Sequence, residues 1–256
     1  MADLEIHQIP TRRDNYVWLL REPSSGRVAV VDPSDAPPVI AKLDALGWTL
    51  DEVLATHHHN DHVGGVPELK DRYGCLVVGP RADHDRIPRI DKDVGDGDVH
   101  RFGALEARVF DTPGHTRGHI SYWMPGAKAL FCGDTLFALG CGRVFEGTME
   151  QMWASLSKYE AVPDDTRVFC AHEYTQANAK FALTVEPGNA ALVRRAKAVD
   201  ALRAEGKSTV PSLMGEERAT NPFLRAKLPE FRRAVGMADA APAEVFGTVR
   251  TRKDKF

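Results

Sequence analysis

The run Thr56-His57-His58-His59-Asn60-Asp61-His62-Val63-Gly64-Gly65 constrains this chain more than any other feature. It follows Val53–Thr56, an apolar stretch that reads as a strand. Side chains two apart on an extended segment share a face, so His57 and His59 converge while His58 points away. Asp61 and His62 fall in the next turn, within reach of a second position, and Gly64-Gly65 lets the backbone turn tightly into a helix. Four imidazole and carboxylate donors within six residues exceed what one tetrahedral ion takes from one segment. Two cations are therefore expected, and they require ligands from elsewhere. Three candidates each follow an apolar β run: His115 in Thr112-Pro113-Gly114-His115, Asp134 in Phe131-Cys132-Gly133-Asp134, and His172 in Cys170-Ala171-His172. Alone, each reads as a structural histidine or a turn residue, and a histidine run can be a solvated loop. Their joint recurrence at strand ends favours ligation.

The first two thirds of the chain alternate short β runs with helical patterns. Strands are expected at Tyr16–Leu20, Val28–Val31, Val53–Thr56, Cys75–Val78, Leu105–Phe110, Ile120–Trp123, Ala129–Cys132 and Val168–Cys170, and helices at Pro38–Leu46, Val66–Tyr73 and Met149–Tyr159. That is a mixed α/β pattern. After Ala171 the periodicity turns helical, with Gln176–Val185 and Asn189–Glu205 as candidates and Gly206 as a C-cap. Ser208–Asn221, bracketed by prolines, reads as a long surface connection, and short helices follow near Pro229–Val235 and Pro242–Thr251. A domain boundary near residue 172 separates residues 1–171 from residues 172–256.

Charge follows the same division. Residues 172–256 carry a net +5 and residues 1–171 a net −8, within a 256-residue chain of −3 overall. Bound cations can offset the acidic body, and an anionic ligand can meet the basic tail region. The four cysteines, Cys75, Cys132, Cys141 and Cys170, make no C-x-x-C pair, as expected of reduced cytoplasmic thiols. An acidic N-terminus without a basic, apolar leader, and the lack of an apolar run of roughly 18 residues, argue against export and membrane partners. Mild acidity argues against nucleic acid.

The order His57-x-His59-x-Asp61-His62, TPGHTRGHI with His115, FCGDTLF with Asp134, GCGRVFEGT and AHEYT with His172 resembles the metallo-β-lactamase superfamily and, within it, the hydroxyacylglutathione hydrolases (glyoxalase II). Phe181-Ala182, Val185-Glu186-Pro187-Gly188-Asn189, Thr220-Asn221-Pro222-Phe223-Leu224-Arg225 and Val249-Arg250-Thr251-Arg252-Lys253-Asp254 are similar to that family's helical substrate domain, so the resemblance spans nearly the whole chain. It implies an α/β fold, the αββα sandwich, followed by a C-terminal all-helical domain. It further implies two divalent cations, zinc foremost and iron or manganese as alternatives. One would be held by His57, His59 and His115 and the other by Asp61, His62 and His172, with Asp134 bridging both.

The implied reaction is hydrolysis of S-D-lactoylglutathione to D-lactate and glutathione, a step of methylglyoxal detoxification, by a monomer acting on a small-molecule thioester. Two cations acidify a shared water and hold the hydroxide against the thioester carbon, with Asp61 and Asp134 as the catalytic carboxylates. No G-x-S-x-G nucleophile elbow is present. Recognition of the glutathione carboxylate falls by resemblance on Arg143, Tyr174, Arg250 and Lys253, and on Phe145, where some family members carry a tyrosine whose hydroxyl Phe cannot supply. Asp32 fits either an orienting partner for a ligand imidazole or a cap, and His119 either supports the site or packs. His7, His84 and His100 read as surface or core histidines. A glutathione persulfide dioxygenase with a single iron is the rival reading, and a non-enzymatic metal-binding module is an alternative of a different class.

Overall fold

The computed structural model describes residues 4–256, which divide into two compact units. The first comprises residues up to Asp111 together with Arg117–Gly133; the second comprises Thr112–Thr116 and Asp134–Phe256.

In the first unit, β1 (Glu5–Thr11), β2 (Asn15–Arg21), β3 (Val28–Val31), β4 (Glu52–Leu54), β5 (Leu76–Pro80) and β6 (Lys92–Val94) lie side by side in chain order. β1, β2 and β3 pair antiparallel, and β3 to β6 pair parallel. The parallel pairs need crossovers, which α1 (Ala36–Leu46) supplies for β3–β4 and α3 (Val66–Tyr73) for β4–β5, with the single turn α2 (Asn60–Val63) directly before α3, while a 3-10 turn at Arg81–Arg86 links β5 to β6. Both long helices end at a glycine in the left-handed conformation, Gly47 and Gly74. Val30, Val53 and Val77 on adjacent strands pack with Val39 and Leu43 of α1 and Val66 and Leu69 of α3 in one buried cluster. The uninterrupted burial of β2, β3 and β4 is the pattern of strands covered on both faces.

A second, antiparallel set, β7 (Val99–Phe102), β8 (Leu105–Asp111), β9 (Ile120–Met124) and β10 (Ala129–Gly133), completes this unit's sandwich. Tyr122 reaches across to donate its hydroxyl to the Ala55 carbonyl at 3.1 Å. β8 alternates buried and exposed residues, whereas β9 is buried throughout.

The second unit contains the hairpin β11 (Leu136–Phe137) and β12 (Gly140–Cys141), helix α4 (Met149–Lys158), and the antiparallel pair β13 (Arg167–Cys170) and β14 (Ser212–Leu213). Its remaining helices are α5 (Thr175–Val185), α6 (Ala190–Ala204), α7 (Met214–Thr220), α8 (Pro229–Ala234) and α9 (Pro242–Asp254). Thr148 and Gln151 form a reciprocal capping box on α4, and Asn189 accepts from the Ala191 and Leu192 amides at the start of α6.

The stretch 208–221, expected as a surface connection, instead forms β14 and α7 and buries Met214, Glu217, Thr220 and Asn221. Its polarity misleads because Glu217 is buried as an ion pair with Arg195, which hydrophobic periodicity does not register. Strands β1, β6 and β7 and the hairpin β11–β12 also lie outside the strands expected from the sequence. The four cysteines are free and buried, and among the described residues no helix is long and apolar enough to cross a membrane.

Candidate metal centre

In the first unit the parallel strands β3 and β4 end together and set down the histidine run. The Asp32 amide donates to the Leu54 carbonyl at 3.1 Å and the Ala55 amide to the Val78 carbonyl at 2.8 Å, so the chain leaves the sheet with its neighbours in register. The crevice beyond the carboxyl ends of parallel strands is where open α/β sheets place their ligands. His57 Nε2 and His59 Nδ1 approach to 3.1 Å, while His58 turns aside to Asp83, 2.9 Å from its Nδ1, and to Arg86. His62 Nε2 lies 3.6 Å from Asp61 Oδ2.

The tautomers follow from the partners. Thr56 Oγ1 donates to Asp32 Oδ2 at 2.7 Å, so towards His57 Nδ1, 3.0 Å away, it accepts; the proton sits on Nδ1 and Nε2 is the basic nitrogen. His62 Nδ1 donates to Asp32 Oδ2 at 3.0 Å, which leaves its Nε2 basic as well. One buried aspartate thus orients two imidazoles, directly and through a hydroxyl, as metal-ligating histidines require. The capping alternative for Asp32 gives way to this role.

Asn15, which sequence reasoning passed over, donates from Nδ2 to Asp61 Oδ2 at 3.1 Å and to the Asp61 carbonyl at 3.2 Å. No local pattern marks it, because the contact joins β2 to the α2 turn across 46 positions. Gly64 and Gly65 have right-handed backbones, and what they provide is close approach: a Cβ would lie 2.6 Å from the Ser34 carbonyl oxygen at Gly64 and 2.8 Å from the Ala36 amide at Gly65. His119 stacks on His57 with centroids 4.8 Å apart. His100 is a buried partner of Glu52, whereas His7 and His84 pair with Glu5 and Asp93.

The second unit holds candidate donors of its own. Asp134 Oδ2 lies 3.3 Å from His115 Nε2 and Oδ1 lies 3.4 Å from His172 Nε2. Asp134 thus presents one carboxylate oxygen to each of two imidazoles. His115 Nδ1 donates to the Arg143 carbonyl at 2.9 Å, so its Nε2 is again the basic nitrogen. The Asp134 carbonyl is packed so closely that any Cβ at Gly142 would overlap it. His172 stacks on Tyr174 at 4.7 Å, and Phe137 meets both rings edge-on. The donors, carboxylates and imidazoles that are buried at His57, His62, His115 and His172 and half-buried at His59, match borderline divalent cations such as zinc, iron and manganese.

The remaining residues named from the sequence cluster by their cationic character. Arg250 is buried: its Nη1 donates to the Cys141 carbonyl at 2.9 Å, its Nη2 to Asp254 at 3.0 Å, and its guanidinium lies over Phe223. Lys253 sits between the Phe181 and Phe256 rings, 5.3 and 5.2 Å from their centroids, and burial together with Arg250 and Arg143 pulls its ammonium pKa below the ordinary lysine value. Arg143 is exposed, 3.6 Å from Asp254. Phe145 is 62 % exposed and its ring lies 5.2 Å from that of His115. Burial raises the Cys141 thiol to about 11 and that of Cys170 to about 12, which disfavours the thiolate at both.

The metallo-β-lactamase superfamily model matches residues 10–172, and the model of the hydroxyacylglutathione hydrolase C-terminus matches residues 173–256. The hydroxyacylglutathione hydrolase of Methylococcus capsulatus is 59 % identical over 253 residues, covering 99 % of each chain. The chain belongs to the hydroxyacylglutathione hydrolase family. The relative from Rhodospirillum rubrum is 54 % identical over 256 residues, with both chains covered completely. Among solved structures, the BLEG-1 B3 metallo-β-lactamase superposes with a TM-score of 0.67 at 22 % identity, covering 86 % of this chain and 99 % of its own, a likeness of fold. Within the hydroxyacylglutathione hydrolase family the second matched segment is the distinguishing one, since the metallo-β-lactamase fold hosts many reactions.

Proposed function

We propose that this chain hydrolyses S-D-lactoylglutathione and related 2-hydroxyacylglutathione thioesters, releasing D-lactate and glutathione. The observation that carries the reading is the Asp134 carboxylate, one oxygen towards each of two imidazoles, in a chain whose full length aligns with hydroxyacylglutathione hydrolases. In this reading His57, His59 and His115 hold one cation, Asp61, His62 and His172 hold a second, and Asp134 serves both. Zinc heads the order, with iron and manganese as alternatives, because histidine and carboxylate sets accept several first-row ions. Two bound cations supply Lewis acidity and lower the pKa of water towards neutrality.

The chain's own groups do the rest. Asp61, held by Asn15, orients the attacking water towards the thioester carbon. Asp32 keeps His57 and His62 in the tautomer that ligates. Buried Cys141 and Cys170, with raised pKa values, stay out of the chemistry. Arg143, Lys253 and the Tyr174 hydroxyl face the glutathione carboxylates, Arg250 adds buried positive charge beneath them, and Phe145 contributes an apolar face. Residues 1–171 form the catalytic part and residues 172–256 the substrate-binding part of a cytoplasmic monomer.

The test is loss of thioester absorbance when metal-analysed protein meets S-D-lactoylglutathione, with a chelated control. Turnover that stops on chelation and returns with zinc, iron or manganese is the expected result. Oxygen consumption with one iron per chain points instead to persulfide oxidation, and no turnover from folded protein carrying about two cations removes the substrate assignment.

A further inference from the structure

The hairpin β11–β12 is short, buried and bent through a non-glycine residue in the left-handed region, Leu139 at φ 58°. Side chains from distant helices grip its backbone residue by residue. Glu217 Oε2 accepts the Leu139 amide at 2.9 Å. Asn221 Nδ2 donates to the Phe137 carbonyl at 3.1 Å, to the Gly140 carbonyl at 2.9 Å and to Glu217 Oε2 at 3.0 Å. Asn178 Nδ2 donates to the Ala138 carbonyl at 3.1 Å and Arg250 to that of Cys141. Glu217 is fully buried, and its other oxygen is taken by Arg195, which also donates to Thr220 at 2.7 Å.

The candidate ligands of the second unit, His115, Asp134 and His172, are each joined to that hairpin. Asp134 precedes it by two positions, Phe137 on its first strand packs against His172 and Tyr174, and Arg143, two positions after it, accepts from His115 Nδ1. A fully buried ion pair is weak evidence for stability, since well-packed apolar residues commonly do as well, and its best-attested use is to fix one conformation among several. Here the conformation it holds is a strained turn that the backbone alone does not favour.

We propose that Glu217, seconded by Asn221, is a positioning residue that sets the aim of the Asp134 carboxylate between His115 and His172. It couples the helical part of the chain to metal affinity without touching metal or substrate. The inference rests on the metal-centre reading above.

The test compares Glu217→Gln with Glu186→Gln in full-length protein. The second substitution weakens the Arg225 ion pair, which touches no part of the hairpin, and controls for lost stability. Zinc affinity is read by competition with a chromophoric chelator, and coordination geometry by the visible spectrum of the cobalt-substituted protein. Glu217→Gln should weaken zinc binding about 10-fold and shift the cobalt bands, whereas Glu186→Gln leaves both as in the parent. Equal affinity and identical spectra for the two folded variants overturn the proposal. If Glu217→Gln does not fold, Asn221→Ala carries the same expectation and the same refutation. Zinc affinity decides this point even if S-D-lactoylglutathione is not hydrolysed, so the two readings fail separately.

Discussion

Asp32 Oδ2 accepts from His62 Nδ1 at 3.0 Å while its Oδ1 accepts the Thr56 amide at 2.8 Å, so one carboxylate ties the end of β3 to the end of β4 and to the His62 imidazole. Asp32→Asn keeps the size and one acceptor but removes the charge that holds the Nδ1 proton. Zinc affinity should fall by about 10–100-fold, the range seen when an outer partner of a ligating histidine is lost. Chelator competition on the folded variant checks this, and unchanged affinity returns Asp32 to a purely structural role.

Asp61 and Asn15 separate binding from chemistry. With metal content verified, Asp61→Asn should lower kcat by about 100-fold or more through loss of the group that orients the attacking water. Asn15→Ala leaves the carboxylate in place but unbraced, and should lower kcat on the order of 10-fold at unchanged KM. A metal-loaded and fully active Asp61→Asn removes that carboxylate from the chemistry.

Phe145 is exposed beside His115, in a position to meet substrate with an apolar ring. Phe145→Tyr adds a hydroxyl, and one new hydrogen bond of about 1 kcal/mol corresponds to a KM roughly 5-fold lower with kcat unchanged. Steady-state kinetics decide; an unaltered KM takes position 145 out of glutathione recognition.

Glu22 gives a pH signature remote from the metal residues. Hydrogen bonds from the Ser25 and Ser24 hydroxyls and amides pull its pKa from 4.5 to about 2. Because the folded value is the lower one, its contribution to stability is complete above the ordinary value and is lost as pH falls towards 2. In chelated protein, Glu22→Gln should be the less stable form at neutral pH, and the difference in urea midpoint should close on acidification. A difference independent of pH contradicts the assignment.

How far the site can be read from the chain depends on how local its donors are. His57, His59, Asp61 and His62 lie in one short segment, and the two-residue spacing of His57 and His59 is enough to say that those two rings converge. Glycines in positive φ after α1 and α3 mark helix ends in the same local way. Asn15 and Glu217 belong to the opposite class. Each is an ordinary polar residue in its own neighbourhood, and each meets its partner across tens of positions, Glu217 reaching Leu139 across 78.

The error over 208–221 has the same origin. Charge at positions 216 to 218 reads as solvent exposure because burying an ion costs far more than burying an apolar group, and it is the Arg195 guanidinium, with the Leu139 amide and Asn221, that makes the burial of Glu217 tolerable. Local donor spacing, strand and helix periodicity and the family likeness are written in the order of residues, since each depends on neighbours within a turn or two of chain. Which nitrogen of each histidine is basic, what braces Asp61 and what holds the turn after Asp134 were decided by tertiary structure alone. Those are hydrogen bonds between segments that sequence order does not bring together, and their energy exists only once folding has excluded water from between them.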